Sequence, residues 1–545
     1  MKKIIKIILP VFLLSTTLCP ASAKENNPAR PKLVVGIVVD QMRWDFLYRF
    51  YDKYEPGGFK RLLSHGFSCE NTMLNYIPSV TAIGHATIFT GAVPAIHGIA
   101  GNNWFDGRTG KIIYCTDDPT VAPVGTESRA GKMSPRKLLT TTITDELRLA
   151  TNFRSKVVGI SLKDRAAILP AGNNPTAAFW IDDATGHFVT SSYYMQSLPA
   201  WVDDFNNSKP IDKLLEKGWN TLFPIEQYAE STPDEAAWEG TLKGAGKPVF
   251  PYDLEKSYAL DHGILRQTPF GNTLTLQFAR AAIEGYKLGM ENSCDFLTIN
   301  CAATDYAGHL TGPNSIEMED LYLRLDRDLA TFFSYLDKKI GKGNYLLFLT
   351  ADHGAAHAEG FAEAHKMPAG LLGNNLKKEL DSALEKEFNA NRLGFGIDNF
   401  QVFLNKPHID SLGLDIDKIK SATVGFLQNQ EGIQFAADQD KIPQAPIPEV
   451  LKEKMLNGYN WQRSGNVVMV PLPGWLPGNG KGTSHSVWNP YDTHIPLIFM
   501  GWEVKTGSTN RTVNMTDIAA TLAALLHIQM PSGCIGTPIT EITNK

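Results

Sequence analysis

Lys32–Asp40 reads KLVVGIVVD. From Leu33 to Val39 the stretch is apolar or glycine, largely β-branched, and shows no polar alternation. A strand with one wet face alternates, whereas a strand buried on both faces does not. The segment therefore predicts a central parallel strand that ends at Asp40. Three further runs have the same character: Phe296–Cys301 (FLTINC, then AATDYAGH), Tyr345–Thr350 (YLLFLT, then ADHG) and Ile495–Met500 (IPLIFM). Between the second and third, 316–340 carries apolar residues at helical spacing. Thr516–Ile528 (TDIAATLAALLHI) reads as a capped helix with Thr or Asp in its first turn. Strands alternating with helices predict an α/β fold, a central mostly parallel β-sheet flanked by helices.

The chain's 545 residues, 43% hydrophobic and 20% charged, suit a globular protein with a large core. A net charge of -5 and the lack of a basic tract argue against nucleic acid as a specific partner. Lys2, Lys3 and Lys6 precede an apolar run from Ile7 to Leu18, then Ala21-Ser22-Ala23. This reads as a signal peptide, 1–23, and predicts a periplasmic or secreted protein. No second long apolar run follows, so no membrane association is expected after cleavage. The mature part, 24–545, reads as one catalytic domain. Two insertions, about 173–261 and 359–477, are expected to build a cap or wall over its site. Cys19 falls in the leader. Cys69, Cys115, Cys294, Cys301 and Cys534 leave room for one or two disulfides and at least one thiol.

Ligands bind beyond the carboxyl ends of strands in open α/β sheets. Asp40 closes the first strand. Asp305 and His309 follow the second with a spacing that, on a helix, puts both on one face. Asp352 and His353 follow the third, and His485 lies in the glycine-containing loop GKGTSHS. Three Asp and three His supply ligands for two ions, and this donor mix suits Zn²⁺ in open catalytic sites. Thr81 sits in PSVTAIGHATIFTG where a turn enters a helix, and it is either a helix cap or a nucleophile. His65, His97, His187, His262, His357, His365, His408, His494 and His527 read as ordinary hydrogen-bonded groups.

VVDQMRWD, PSVTAIGHATIFTGAVPAIHGIAGN, TDYAGH, LTADHG and GTSHS together resemble the alkaline phosphatase superfamily. Within it they are most similar to the broad-substrate, phosphate-irrepressible PafA-type bacterial branch. The resemblance spans Asp40 to the terminal helix. It implies one zinc on Asp305, His309 and His485, and a second on Asp40, Thr81, Asp352 and His353. It further implies that Thr81 attacks phosphorus and that a water hydrolyses the resulting phosphothreonine. Asn102 would donate to a phosphoryl oxygen. Lys163 and Arg165, in SLKDRAAILPAG, match the Lys-x-Arg pair of the monoesterase branch, with Asp164 pointing elsewhere. Taken alone, KDR is a charged turn. The implied protein is a monomeric zinc-dependent phosphomonoesterase with two Zn²⁺ per chain, acting on small-molecule phosphomonoesters.

The main alternative is a nucleotide pyrophosphatase/phosphodiesterase of the same superfamily. It would share the metals and the threonine but lack the Lys-x-Arg pair. A sulfatase would need C/S-x-P-x-R, which the nucleophile region lacks. A phosphoglycerate mutase would carry serine and stay inside the cell. A periplasmic zinc- or phosphate-binding protein would have no use for a hydroxyl nucleophile beside two ions.

Overall fold

The computed structural model describes residues 29–544, so the expected signal peptide lies outside the described residues. Ten strands form the main sheet: β1 (Leu33–Val39), β2 (Phe67–Cys69), β3 (Pro123–Val124), β4 (Val157–Ser161), β5 (Ala177–Asp182), β6 (His187–Ser191), β7 (Asp295–Cys301), β8 (Tyr345–Thr350), β9 (Leu497–Gly501) and β10 (Gly507–Thr509). Their order is β10-β2-β9-β8-β1-β7-β4-β5-β6-β3. The centre, β8-β1-β7-β4-β5, is parallel throughout. β9 joins antiparallel on one side and β6 on the other. Three of the four expected runs, β1, β7 and β8, are central parallel strands, and β1 is buried on both faces as its composition requires; the fourth supplies only the antiparallel β9.

Six helices matter for the site: α1 (Thr81–Thr90), α2 (Asp164–Ala171), α3 (Pro269–Tyr286), α4 (Ala303–Thr311), α5 (Ile316–Leu336) and α6 (Asp517–Leu526). Small residues on the sheet let the first two approach closely. Phe348, Gly36, Thr298, Gly159 and Ala178 lie in one register row across β8, β1, β7, β4 and β5. A Cβ on Gly159 would come within 2.1 Å of the Ala167 carbonyl of α2, and one on Gly36 within 3.4 Å of the Phe89 ring of α1.

Several expectations are corrected. Ile495–Met500 is not one strand. His494–Ile495 pairs with Thr72–Met73, and β9 begins only at Leu497. Pro496, which has no N–H to donate, marks the break. The 316–340 helix is regular to Leu336 and then widens into a π turn over Asp337–Gly341. In α6, Thr516 makes no side-chain cap, and Asp517 instead accepts the Asn514 and Thr537 amides. The segment from 173 begins inside the main sheet, because β5 is fully buried and pairs in parallel with β4. All five described cysteines are free thiols, so neither of the one or two disulfides for which the sequence left room forms among them.

Within 359–477 a separate antiparallel sheet forms, in the order Gly394–Asp398, Gln401–Leu404, Val467–Pro471, Ile433–Asp438. It has its own apolar core, including Leu384, Ile409, Ile419 and Leu427. Phe395 and Phe403 from this sheet pack on Phe105, which ties it to the loop after α1.

Candidate active site

Asp40, Lys163, Asp305 and Asp352 arrive at one edge because β1, β4, β7 and β8 are parallel and end together. Asp40 is fully buried. Its Oδ2 accepts from Lys163 Nζ at 2.9 Å and Asn300 Nδ2 at 3.3 Å, and its Oδ1 has no partner. Gln41 turns the chain with a φ of 61°. From there its amide donates to Asp352 Oδ1 (3.1 Å) and its Nε2 to Asp305 Oδ1 (2.8 Å).

Asp305 and His309 lie on α4, so the helical option is the one realised, with His309 Nε2 3.2 Å from Asp305 Oδ1. His485 Nε2 lies 3.7 Å from the same oxygen. The His485 ring stacks on His353 with centroids 3.6 Å apart. Each imidazole donates its Nδ1–H to a carbonyl: His309 to Thr483, His353 to Gly354 and His485 to Ser79. That fixes the tautomer and turns every Nε2 lone pair toward the carboxylates. Two donor groups result, each with ligand atoms within 4.8 Å of one another: Asp305, His353 and His485, and Asp40, Asp352 and His353. His353 is common to both.

The electrostatics are unbalanced. Burial, then Asp352, pushes the Asp40 carboxyl up to about 7 against the pull of Lys163. Burial acts the same way on Asp305, but Lys163 and His309 outweigh it and hold that carboxyl well below its usual range. Burial, then His353 and His309, holds His485 neutral. Asp40 Oδ1, Asp352 Oδ2 and His353 Nε2 are buried without hydrogen-bond partners. Buried charges are stable only when paired or ligating a cation, so this donor set fits one or two divalent ions.

Thr81 is the first residue of α1. Val80 is its N-cap and makes no side-chain cap. No hydrogen bond engages the Thr81 hydroxyl among the described residues, so Thr81 is not a cap. Asn102 Oδ1 accepts the Ala82 amide at 2.9 Å, which leaves Asn102 Nδ2 free to donate. The segment is held at both ends, since Ser79 O accepts from His485 and a Cβ on Gly84 would meet Asp352 O at 2.5 Å.

Lys163 Nζ is also 2.6 Å from Asp305 Oδ2 and lies over the Tyr306 ring. Asp164 turns away to accept from Tyr114 (2.7 Å) and Thr116 (2.6 Å). Arg165 donates to the Tyr114 hydroxyl at 3.1 Å, and its Nε is unpartnered. The structure thus brings together Asp40, Lys163, Asp305, His309, Asp352, His353 and His485, with Thr81 and Arg165 in the first turns of α1 and α2 and Asn102 on the segment after α1. Sequence reasoning missed Gln41, Asn300, Thr304, Tyr114 and His85. Thr304 donates to Asp40 O. His85 Nδ1 is 2.9 Å from Thr81 O and 3.4 Å from Asp352 Oδ2. Its spacing of four from Thr81 on a helix was the available signal.

The family model described as type I phosphodiesterase / nucleotide pyrophosphatase matches residues 34–495. The chain is 54% identical to alkaline phosphatase PafA of Elizabethkingia meningoseptica over 99% of both chains. It is also 54% identical to alkaline phosphatase PhoV of Synechococcus elongatus, covering 94% of this chain and 93% of that one. The crystal structure of wild-type PafA superposes with a TM-score of 0.94 at 55% identity, over 95% of this chain and 100% of that one.

Proposed function

The chain belongs to the type I phosphodiesterase/nucleotide pyrophosphatase family, and we propose that within it the protein hydrolyses phosphate monoesters through a phosphothreonine at Thr81. That it is an alkaline phosphatase follows from near-full-length identity to PafA and PhoV. The ions, the residue roles and the intermediate are our reading. Asp305, His309 and His485 would hold one Zn²⁺, and Asp40, Asp352, His353 and Thr81 the other. The unpartnered carboxylate oxygens and the three aligned Nε2 atoms support that assignment. His353 also stands within reach of the first group. Bound there, the ions would supply Lewis-acid charge that acidifies the threonine hydroxyl and offsets charge on the reacting oxygens.

The chain's own groups do the rest. Thr81 Oγ1, free of any cap, forms the bond to phosphorus as the bond to the alcohol oxygen breaks. Water then cleaves the phosphothreonine and releases phosphate. Asn102 Nδ2 donates to one phosphoryl oxygen. Lys163 and Arg165 donate to the oxygen that carries the second negative charge of a monoester. A diester lacks that charge, so the pair weighs against the phosphodiesterase alternative. The observation that carries the reading is the Lys163 ammonium, buried within 2.9 Å of carboxylates from both donor groups. The test is acid quenching during turnover of a phosphomonoester, followed by peptide mapping. Phosphate on Thr81 is expected; turnover with phosphate elsewhere or nowhere would contradict the intermediate.

The leader pattern supports export to the periplasm or medium, with cleavage near Ala23. No helix among the described residues is long and apolar enough to cross a membrane. The small sheet of 394–471 would act as a wall beside the site, and the protein would work as a monomer.

A further inference from the structure

The wall carries a strained tip. Gly394–Asp398 and Gln401–Leu404 pair up to Asp398↔Gln401, so Asn399 and Phe400 form a two-residue hairpin turn. Both have positive φ, 48° and 60°. Such turns take Asn readily at the first position and Gly at the second, and a bulky residue with positive φ is an outlier. A turn needed only to join two strands would be served by glycine. Yet Phe400 is held firmly: its carbonyl accepts the Met469 amide at 2.9 Å, and its ring is half-buried, resting on the wall's apolar core while it lines the cleft described next.

The tip also sits at the site. A Cβ on Gly101, next to Asn102, would lie 2.7 Å from Asn399 Nδ2. A cleft of about 450 Å³ runs from Ser484 and His485 to Phe400, with Ile397 and Met469 beside it and exposed Lys377 along its edge. That volume suits a small organic group, and the lining pairs an apolar side with a polar one.

Resting on the phosphomonoesterase reading, we infer that Phe400 is a specificity-determining residue: its ring is the platform on which a planar leaving group lies, so the protein favours monoesters of ring-bearing alcohols such as nucleosides over small alkyl phosphates. The strained backbone is retained because it aims the ring into the cleft.

The test compares a nucleoside 5′-monophosphate with glycerol phosphate in the wild type, Phe400→Gly and Phe400→Tyr. Loss of a stacking platform should raise the nucleotide KM about tenfold in Phe400→Gly with kcat unchanged. Glycerol phosphate should change less than about twofold on the same reasoning. Phe400→Tyr should behave as wild type. Equal losses on both substrates, or an unchanged ratio, would overturn the platform while leaving the phosphatase reading intact. No wild-type turnover of either ester would overturn both.

Discussion

Lys163 Nζ and Asp305 Oδ2 are 2.6 Å apart, with the lysine side chain wholly buried. The same ammonium reaches Asp40 at 2.9 Å, so one cation links the two donor groups. Lys163→Ala would leave Asp40 and Asp305 short of a counter-charge. In chelated protein this should cost about 3–5 kcal/mol, the range for breaking a buried pair. Added Zn²⁺ should recover much of that, because ligand binding to the native state stabilises it. Thermal unfolding with and without metal checks this; an equal loss in both conditions would contradict it.

Thr81 separates cap from nucleophile. As the first helical residue under a Val80 N-cap, with no capping bond of its own, it does little for helix stability. Thr81→Ala should therefore change stability by less than about 0.5 kcal/mol, below the usual cost of losing a cap. Turnover should be nearly abolished. A stability loss of about 1–2 kcal/mol with substantial remaining activity would restore the capping role.

Gly159 tests how the sheet seats α2. The 2.1 Å approach to Ala167 O means Gly159→Ala must push α2 outward and move Lys163 and Arg165 with it. Overpacking of this kind costs about 1–3 kcal/mol. Monoesterase activity should fall as well. Gly107→Ala, where a Cβ meets nothing within 4 Å, should change neither stability nor turnover.

A second buried carboxylate pair sets a pH dependence away from the site. Burial, then Glu317, pushes Glu239 up to about 9. Burial pushes Glu317 up to about 7 against the hydrogen bond from Tyr252. Both carboxyls have higher pKa values folded than the 4.5 of the unfolded chain, so the native state holds more protons across that window. Stability from this pair is fully present below about 4.5 and is lost as pH rises from there through about 7 for Glu317 and about 9 for Glu239. Melting temperatures across that range should fall less steeply in Glu239→Gln than in the wild type. Parallel curves would contradict the assignment.

Much of this was legible from sequence, for physical reasons. Strands buried on both faces leave unbroken apolar runs, so β1, β7 and β8 could be placed, and with them the Asp or His at their ends. The Asp305–His309 spacing could be read because α4 is helical. The 394–471 sheet was not legible, because its strands are short and only the first two are neighbours in sequence, the others lying across long excursions. β5 and β6 were misassigned to an insertion because AAFWID, though buried, is brief and follows a proline-rich turn. Gln41 was missed because its role depends on a positive φ, and His85 because its contact with Asp352 crosses to another element, although its spacing from Thr81 was visible. Cysteine counts carry no distances, so the sequence left the pairing open, and all five described thiols are free.

On the proposed two-metal reading, Lys163 and Arg165 together commit the site to phosphomonoesters. The most direct measurement is kcat/KM for an aryl phosphate and for its bis-aryl diester, in the wild type and in Lys163→Ala/Arg165→Ala, with chelator and with Zn²⁺ restored. The account predicts strong wild-type preference for the monoester, activity abolished by chelator and recovered with zinc. It also predicts a double-variant loss of about 10²-fold or more on the monoester, the scale for removing such donors, with little change on the diester. Preference for the diester, or equal losses on both substrates, would contradict it.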